Sequence, residues 1–409
     1  MSTDQKPDLV RRSLITGSAA AGAGLLTAAA NADTVAPHKQ PGRTLTDMGD
    51  YGSRSPYVDD ARLARADGTN LYGAGYTPLE RGHGIVTPSG LHYEVFHNGC
   101  PDIHPDSHRL LVHGLVQNDR VFTLADLMRL PSVTRFCFLE CAGNGWNDFD
   151  EPRSPTVQLS HGLTSCAEWT GVPLSIVLNE LGVRGGARWL LAEGGDGAGL
   201  MRSFPLEKAM DDALLVYAQN GELLRPEQGF PLRLLLPGFE GNMNVKWLRR
   251  LELGDEAWWT RSEVTEYADP MFDGKTGVFS FEMLAKSVIT RPSGGMSLED
   301  KMFYEITGLA WSGRGRIKRV EVSVDAGRTW ADAAIEGPVL SKAHTRFRFP
   351  WRWNGKVAVL QSRATDETGY VQPSLKALRQ NQPSGGTHNN AIQSWRIEND
   401  GSVSNVHVV

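Results

Sequence analysis

The pattern of apolar and polar positions changes texture along the chain. Residues 33–80 are rich in Gly, Asp, Arg and Pro without helical or alternating spacing, which predicts an irregular N-terminal extension. From about residue 81, apolar runs at 109–112, 135–139, 189–192 and 232–236 read as strands, while 173–182 and 205–213 carry helical spacing. This interleaving predicts an α+β domain over 81–265. The stretch 255–285, with Trp258-Trp259, Pro270 and Gly274, shows no regular pattern and reads as the passage to a second domain. Beyond it, 302–310, 317–323, 344–349 and 357–364 read as short strands, parted by turn words such as Asp325-Ala326-Gly327 and Asp366-Glu367-Thr368-Gly369. Strands at intervals with no helices between them predict an all-β immunoglobulin-like sandwich over 281–409.

The length supports this division, because single cores seldom grow past about 250–300 residues and the chain has 409, 40% of them hydrophobic. Forty-two Lys and Arg against 47 Asp and Glu give a net charge of −5, which carries no footprint for nucleic acid or an anionic membrane surface. Residues 1–32 differ from all that follows. Arg11-Arg12 precedes Ser13-Leu14-Ile15, an Ala/Gly/Leu-rich stretch and Ala30-Asn31-Ala32. The apolar run is short and Gly-rich for a membrane span of about 20 residues, and the paired arginines predict a twin-arginine export signal to the periplasm rather than membrane insertion. That route carries folded proteins, which points to a cofactor inserted before export.

Four cysteines, at 100, 137, 141 and 166, are too few for a disulfide scaffold in a chain this long. No C-x-x-C-H word is present, so no covalent c-type haem is expected in this chain. Cys141 opens Cys141-Ala142-Gly143-Asn144-Gly145, directly after an apolar run. Small residues there let the backbone turn and approach a ligand closely. A cysteine at a strand end is more often a small buried hydrophobe than a ligand, so the neighbouring words decide.

Those words resemble the sulfite oxidase family of molybdopterin enzymes. Leu139-Glu140-Cys141-Ala142-Gly143-Asn144 is similar to the family's molybdenum loop, and Ala167-Glu168-Trp169-Thr170-Gly171-Val172-Pro173-Leu174 to the segment that follows it. Gly229-Phe230-Pro231-Leu232-Arg233 through Pro237-Gly238 to Asn244-Val245-Lys246-Trp247-Leu248 resembles the pterin-binding strand and loop. Lys286-Ser287-Val288-Ile289-Thr290-Arg291-Pro292 and Val322-Ser323-Val324-Asp325-Ala326-Gly327-Arg328-Thr329-Trp330 resemble the family's dimerisation domain. The resemblance implies a molybdenum-molybdopterin cofactor with Cys141 as thiolate ligand, Arg233 and Lys246 on the pterin's phosphate, His97 near the pterin, and Tyr217 beside the metal. A soft thiolate suits a molybdenum centre that transfers oxygen and takes two electrons.

One difference concerns the substrate. Family members that use free sulfite carry arginines for the dianion where this chain has Gly145 and the pair Val95-Phe96. Ser160-His161-Gly162-Leu163-Thr164-Ser165-Cys166, Tyr217-Ala218-Gln219-Asn220-Gly221-Glu222 and His388-Asn389-Asn390-Ala391-Ile392-Gln393-Ser394-Trp395 resemble the branch of bacterial sulfane dehydrogenases, which itself usually has Arg-His at 95–96. That branch implies sulfane sulfur on a carrier protein's cysteine as substrate, a separate cytochrome c subunit as electron acceptor, and a homodimer of the chain within a heterotetramer. Three other readings remain beside it: a dehydrogenase of free sulfite, a member that reduces a sulfoxide, and a non-catalytic subunit that binds a sulfur carrier.

Overall fold

The computed structural model describes residues 49–383 and 387–408. The export signal assigned to 1–32 and the first part of the extension lie outside the described residues. Residues 49–58 contain turns and form a unit of their own. From residue 59 the extension is more regular than its composition predicts: Leu63–Ala66, Gly73–Tyr76 and Glu94–Phe96 pair as a three-stranded antiparallel sheet. Its strands are too short for periodicity to register.

Two five-stranded sheets build the α+β part. One is built on Val133–Glu140, Thr164–Pro173 and Leu214–Gln219, the last of which also pairs with Glu222–Leu223 and Arg233–Leu235. The other runs Arg120–Phe122, Leu110–Gly114, Leu248–Gly254, Trp189–Gly194 and Met201–Pro205, with Leu248–Gly254 and Leu110–Gly114 its parallel pair. Helices Leu174–Leu181 and Leu206–Asp211 fall within the segments read as helical. Leu174, Val177, Leu178 and Leu181 lie at i, i+3, i+4 and i+7, and this apolar stripe joins Leu110, Leu190, Leu215, Leu234 and Leu251 in one core between the sheets.

The second layer pair is the predicted sandwich. One sheet contains Lys286–Arg291, Phe303–Trp311, Thr345–Arg352 and Ala334–Ile335; the other contains Ala331–Asp332, Ile317–Ser323, Ala358–Asp366, Ser394–Ile397 and Val403–Val406. Trp311, Phe347, Leu360 and Trp395 fill its core. A helix, Leu375–Asn381, precedes the last hairpin. Among the described residues no helix is long and apolar enough to cross a membrane.

The strand Val133–Glu140 positions the candidate site. Successive side chains of a strand point to opposite faces. Phe138 accordingly packs into the sandwich core, near Trp311 and His344, while Cys137 and Leu139 join a third cluster with Trp169, Val216 and Leu235. Continuing the alternation turns Glu140 towards the sandwich and Cys141 towards the third cluster.

Candidate cofactor site

Cys141 and Leu139 line a cavity walled by the sheet of Val133–Glu140 and by the turn Gly241–Met243. The Cys141 backbone N–H donates to the Leu163 carbonyl (2.9 Å), and its carbonyl accepts from Asn144 N (2.9 Å), closing the small-residue turn. Gly145 continues it at φ +89, a backbone angle that favours glycine. Burial pushes the Cys141 thiol up to about 11, with Glu240 and Glu140 adding to the effect and the Gly143 N–H and Lys286 opposing it.

Behind the cysteine, Glu140 is wholly buried and accepts from Lys286 Nζ (2.9 Å), Asn144 Nδ2 (2.9 Å) and Trp311 Nε1 (2.7 Å). Lys286 Nζ also donates to the Asn144 carbonyl (2.8 Å). The loop that carries Cys141 is thus tied to the first strand of the sandwich by an ion pair with almost no solvent access and to the second by the Trp311 hydrogen bond.

Two cations reach the same cavity. Arg233 pairs across from Val216 and so shares its face of the sheet. Its guanidinium sits 5.0 Å from the Trp169 ring centroid and donates to the Gln228 and Asn244 carbonyls, both at 3.0 Å, while Nε finds no partner among the described residues. Lys246 Nζ donates to the carbonyls of Val95 (2.9 Å) and Glu227 (3.0 Å), between the rings of Phe96 and Trp247. Burial lowers Arg233 to about 10 and Lys246 to about 7; for Lys246 the Arg233 charge adds to it. Neither forms an ion pair with a carboxylate among the described residues. A buried Arg233 and a half-buried Lys246 in one cavity call for an anion. His97 lines the cavity too, its Nε2 3.1 Å from the Tyr267 hydroxyl.

Comparison with known proteins agrees with this layout. A family model described as oxidoreductase molybdopterin binding domain matches residues 97–261, and one described as Mo-co oxidoreductase dimerisation domain matches 278–391. The solved sulfane dehydrogenase SoxCD from Paracoccus pantotrophus superposes with a TM-score of 0.88 at 42% identity, covering 91% of this chain and 96% of that one. The chain belongs to the sulfite oxidase family of molybdopterin oxidoreductases. Mitochondrial sulfite oxidase from Rattus norvegicus is 32% identical over 321 residues, 71% of this chain and 58% of that protein. An NADH nitrate reductase from Ulva prolifera is 33% identical over 335 residues, 71% of this chain and 38% of that one. The chain therefore spans a little over half of the first relative and well under half of the second.

The residues present fit the family's cofactor. Among the described residues no group of three or more His, Cys, Asp or Glu could hold a metal ion. A metal at Cys141 must take most of its donors from elsewhere, as a dithiolene pterin provides, and the unpaired Arg233 and Lys246 suit that pterin's phosphate.

Four of the five side chains singled out from the sequence, Cys141, His97, Arg233 and Lys246, meet in this cavity. Tyr217 is not among the residues that line it. Leu215 and Tyr217 face the core between the two sheets, whereas Val216 faces the cavity side, with a register shift between Val216 and Ala218. The tyrosines that line the cavity are Tyr93 and Tyr267. Burial pushes both phenols well above their usual range, and the Cys141 sulfur adds to it. Tyr267 lies in the stretch without pattern before the sandwich, where only the type of the residue could have marked it. Arg202, buried between Glu240 and Glu263, holds its guanidinium 4.6 Å from the Tyr267 ring centroid.

Proposed function

We propose that this chain is a periplasmic molybdopterin-dependent dehydrogenase of sulfur compounds, acting on sulfane sulfur carried by a partner protein's cysteine. The observation that carries the reading is the meeting of Cys141 with two cations, buried Arg233 and half-buried Lys246, that lack carboxylate partners among the described residues. Cys141 would hold molybdenum as a thiolate, Arg233 and Lys246 the phosphate, and His97 would stand beside the pterin. When bound, the molybdenum cofactor supplies two-electron oxygen-atom transfer.

This chain's own groups do the rest. A thiol raised to about 11 is protonated at neutral pH, so Cys141 Sγ would give up its proton on binding the metal. Tyr267 Oη and His97 Nε2 lie 3.1 Å apart at the cavity wall, where the phenol, kept protonated by burial, can donate to the imidazole and hold its ring in place. Tyr93, Trp169 and Leu139 exclude water from the side behind the cysteine.

Sulfane sulfur is favoured over free sulfite because Val95, which lines the cavity, and Gly145 stand where family members that use free sulfite carry arginines. A small dianion is held best by paired guanidinium contacts, which give both charge and geometry. Electrons leave to a separate cytochrome c subunit, and two copies of the chain associate through the sandwich within a heterotetramer. The match to a dimerisation domain and the likeness to SoxCD support this assembly, and the paired arginines of the N-terminus support the location.

The test is an assay of molybdenum-loaded protein with free sulfite and with a persulfidated carrier, each with and without cytochrome c. Turnover of the persulfidated carrier only when cytochrome c is present is the expected result, and comparable turnover of free sulfite would overturn the substrate assignment. Cys141→Ala should lose molybdenum; retention at wild-type stoichiometry with wild-type activity would remove the ligand assignment.

A further inference from the structure

Beyond the two cations, the cavity contains polar atoms that no protein group satisfies. His92 Nε2 and both side-chain heteroatoms of Asn242, Oδ1 and Nδ2, are buried without a hydrogen-bond partner among the described residues, and both residues line the cavity. Buried polar groups in native proteins are nearly always paired, so unsatisfied atoms on two residues that line one cavity ask for a ligand with matching donors and acceptors.

Each side chain is held ready. His92 Nδ1 lies 2.9 Å from the Tyr93 carbonyl oxygen. A carbonyl only accepts, so Nδ1 carries the proton and Nε2 offers a bare lone pair. Stacking on Tyr93 (5.4 Å between centroids) and an edge contact with Trp169 (5.5 Å) fix the ring. Asn242 sits in the turn Gly241–Met243, which is pressed against the end of the Cys141 strand: a Cβ on Gly241 would stand 2.5 Å from Tyr93 Oη, 2.9 Å from the Glu140 carbonyl oxygen and 3.2 Å from Cys141 Cα. Asn244 locks that turn by accepting from Leu236 N (2.7 Å) and donating to the Glu240 carbonyl (2.9 Å).

We propose that Asn242 and His92 are positioning residues for the uncharged ring edge of the pterin, leaving its phosphate to Arg233 and Lys246. A pterin ring presents an amide-like N–H and C=O together with an amino group. The Asn242 amide can exchange one donor and one acceptor with the first pair, and His92 Nε2 can accept from a ring N–H. This rests on reading the Cys141 cavity as the pterin site. It adds that two neutral side chains would set the orientation of the ring within the cavity.

Full-length holoprotein tests this by the rate of pterin release in sub-denaturing urea, read from the fluorescence of the oxidised pterin at low and high salt. Asn242→Ala and His92→Phe should each speed release about tenfold, the effect of one lost ligand hydrogen bond, and by the same factor at both salt concentrations. Lys246→Gln should instead lose its effect as salt rises. The thermal midpoint of cofactor-stripped protein should be unchanged by Asn242→Ala, while the increment that the cofactor adds shrinks. An equal fall in the stripped and loaded midpoints would assign a structural role and overturn the proposal, as would unchanged release. If His92→Phe alone lowers the stripped midpoint, the Asn242→Ala measurement decides. Wild-type protein purified without any pterin would instead overturn the reading of the cavity itself.

Discussion

Lys286→Met is the most informative single perturbation, because it cuts the link between the sandwich and the Cys141 loop without touching the cavity. Glu140 is wholly buried and receives one charged donor, Lys286 Nζ at 2.9 Å, and two neutral ones, Asn144 Nδ2 and Trp311 Nε1. Removing one partner of a buried pair leaves a charge that the neutral donors only partly stabilise, at a cost of about 3–5 kcal/mol. The lost bond from Lys286 to the Asn144 carbonyl adds about 1 kcal/mol. A total of about 4–6 kcal/mol should appear in equilibrium urea unfolding followed by circular dichroism. Adding Glu140→Gln removes the stranded charge while keeping an oxygen for Asn144 and Trp311, so the double variant should recover at least about 2 kcal/mol of that loss. A single-variant loss under about 1 kcal/mol, or a double variant no better than the single, would refute the idea that this pair anchors the loop. Molybdenum per chain should fall in Lys286→Met and return in the double variant.

Three further outcomes follow from the same geometry. In cofactor-free protein at pH 7.5, iodoacetamide should label the exposed Cys100 first and Cys141 slowly, with Cys141 labelling rising towards pH 11 because burial holds its thiol protonated; equal rates at neutral pH would contradict that burial. Lys246, lowered to about 7, is a cation only below that pH when no anion is bound, so cofactor uptake by cofactor-free protein should weaken as pH rises through about 7, and this dependence should vanish in Lys246→Met. Burial disfavours a charged His388, yet hydrogen bonds from its ring to Asp269 and Glu240, together with their charges, raise it to about 10. Because the folded value lies above the unfolded one, its contribution is complete below about pH 6.5 and lost as pH rises through about 10. The stability deficit of His388→Gln should therefore be largest near pH 6 and vanish above pH 10, and a deficit independent of pH would count against the charged bridge.

Much of this protein is legible along the chain. Strands such as Val133–Glu140 and Ile317–Ser323 are marked by residue type and bounded by turn words, and the helix Leu174–Leu181 by its apolar stripe, since these signals are local. The Cys141 turn is legible for the same reason: its small residues and its neighbours are contiguous. Arg233 and Lys246 were found as parts of such words. Whether a residue on a strand faces a cavity or a core depends instead on register. Tyr217 belongs to a matching word, and its strand shifts register between Val216 and Ala218, so that Tyr217 and Ala218 both join the core between the sheets while Val216 joins the cluster with Cys141. Tyr267, from a stretch without pattern, occupies the cavity wall beside His97, which lies 170 residues earlier in the chain. The partners of Glu140 come from 146 and 171 residues further along the chain, and the unsatisfied atoms of His92 and Asn242 are defined by what fails to surround them. Local words determine the elements and the chemistry available; only the folded chain decides which side chains share one buried space, because that depends on contacts between segments that carry no mark of each other.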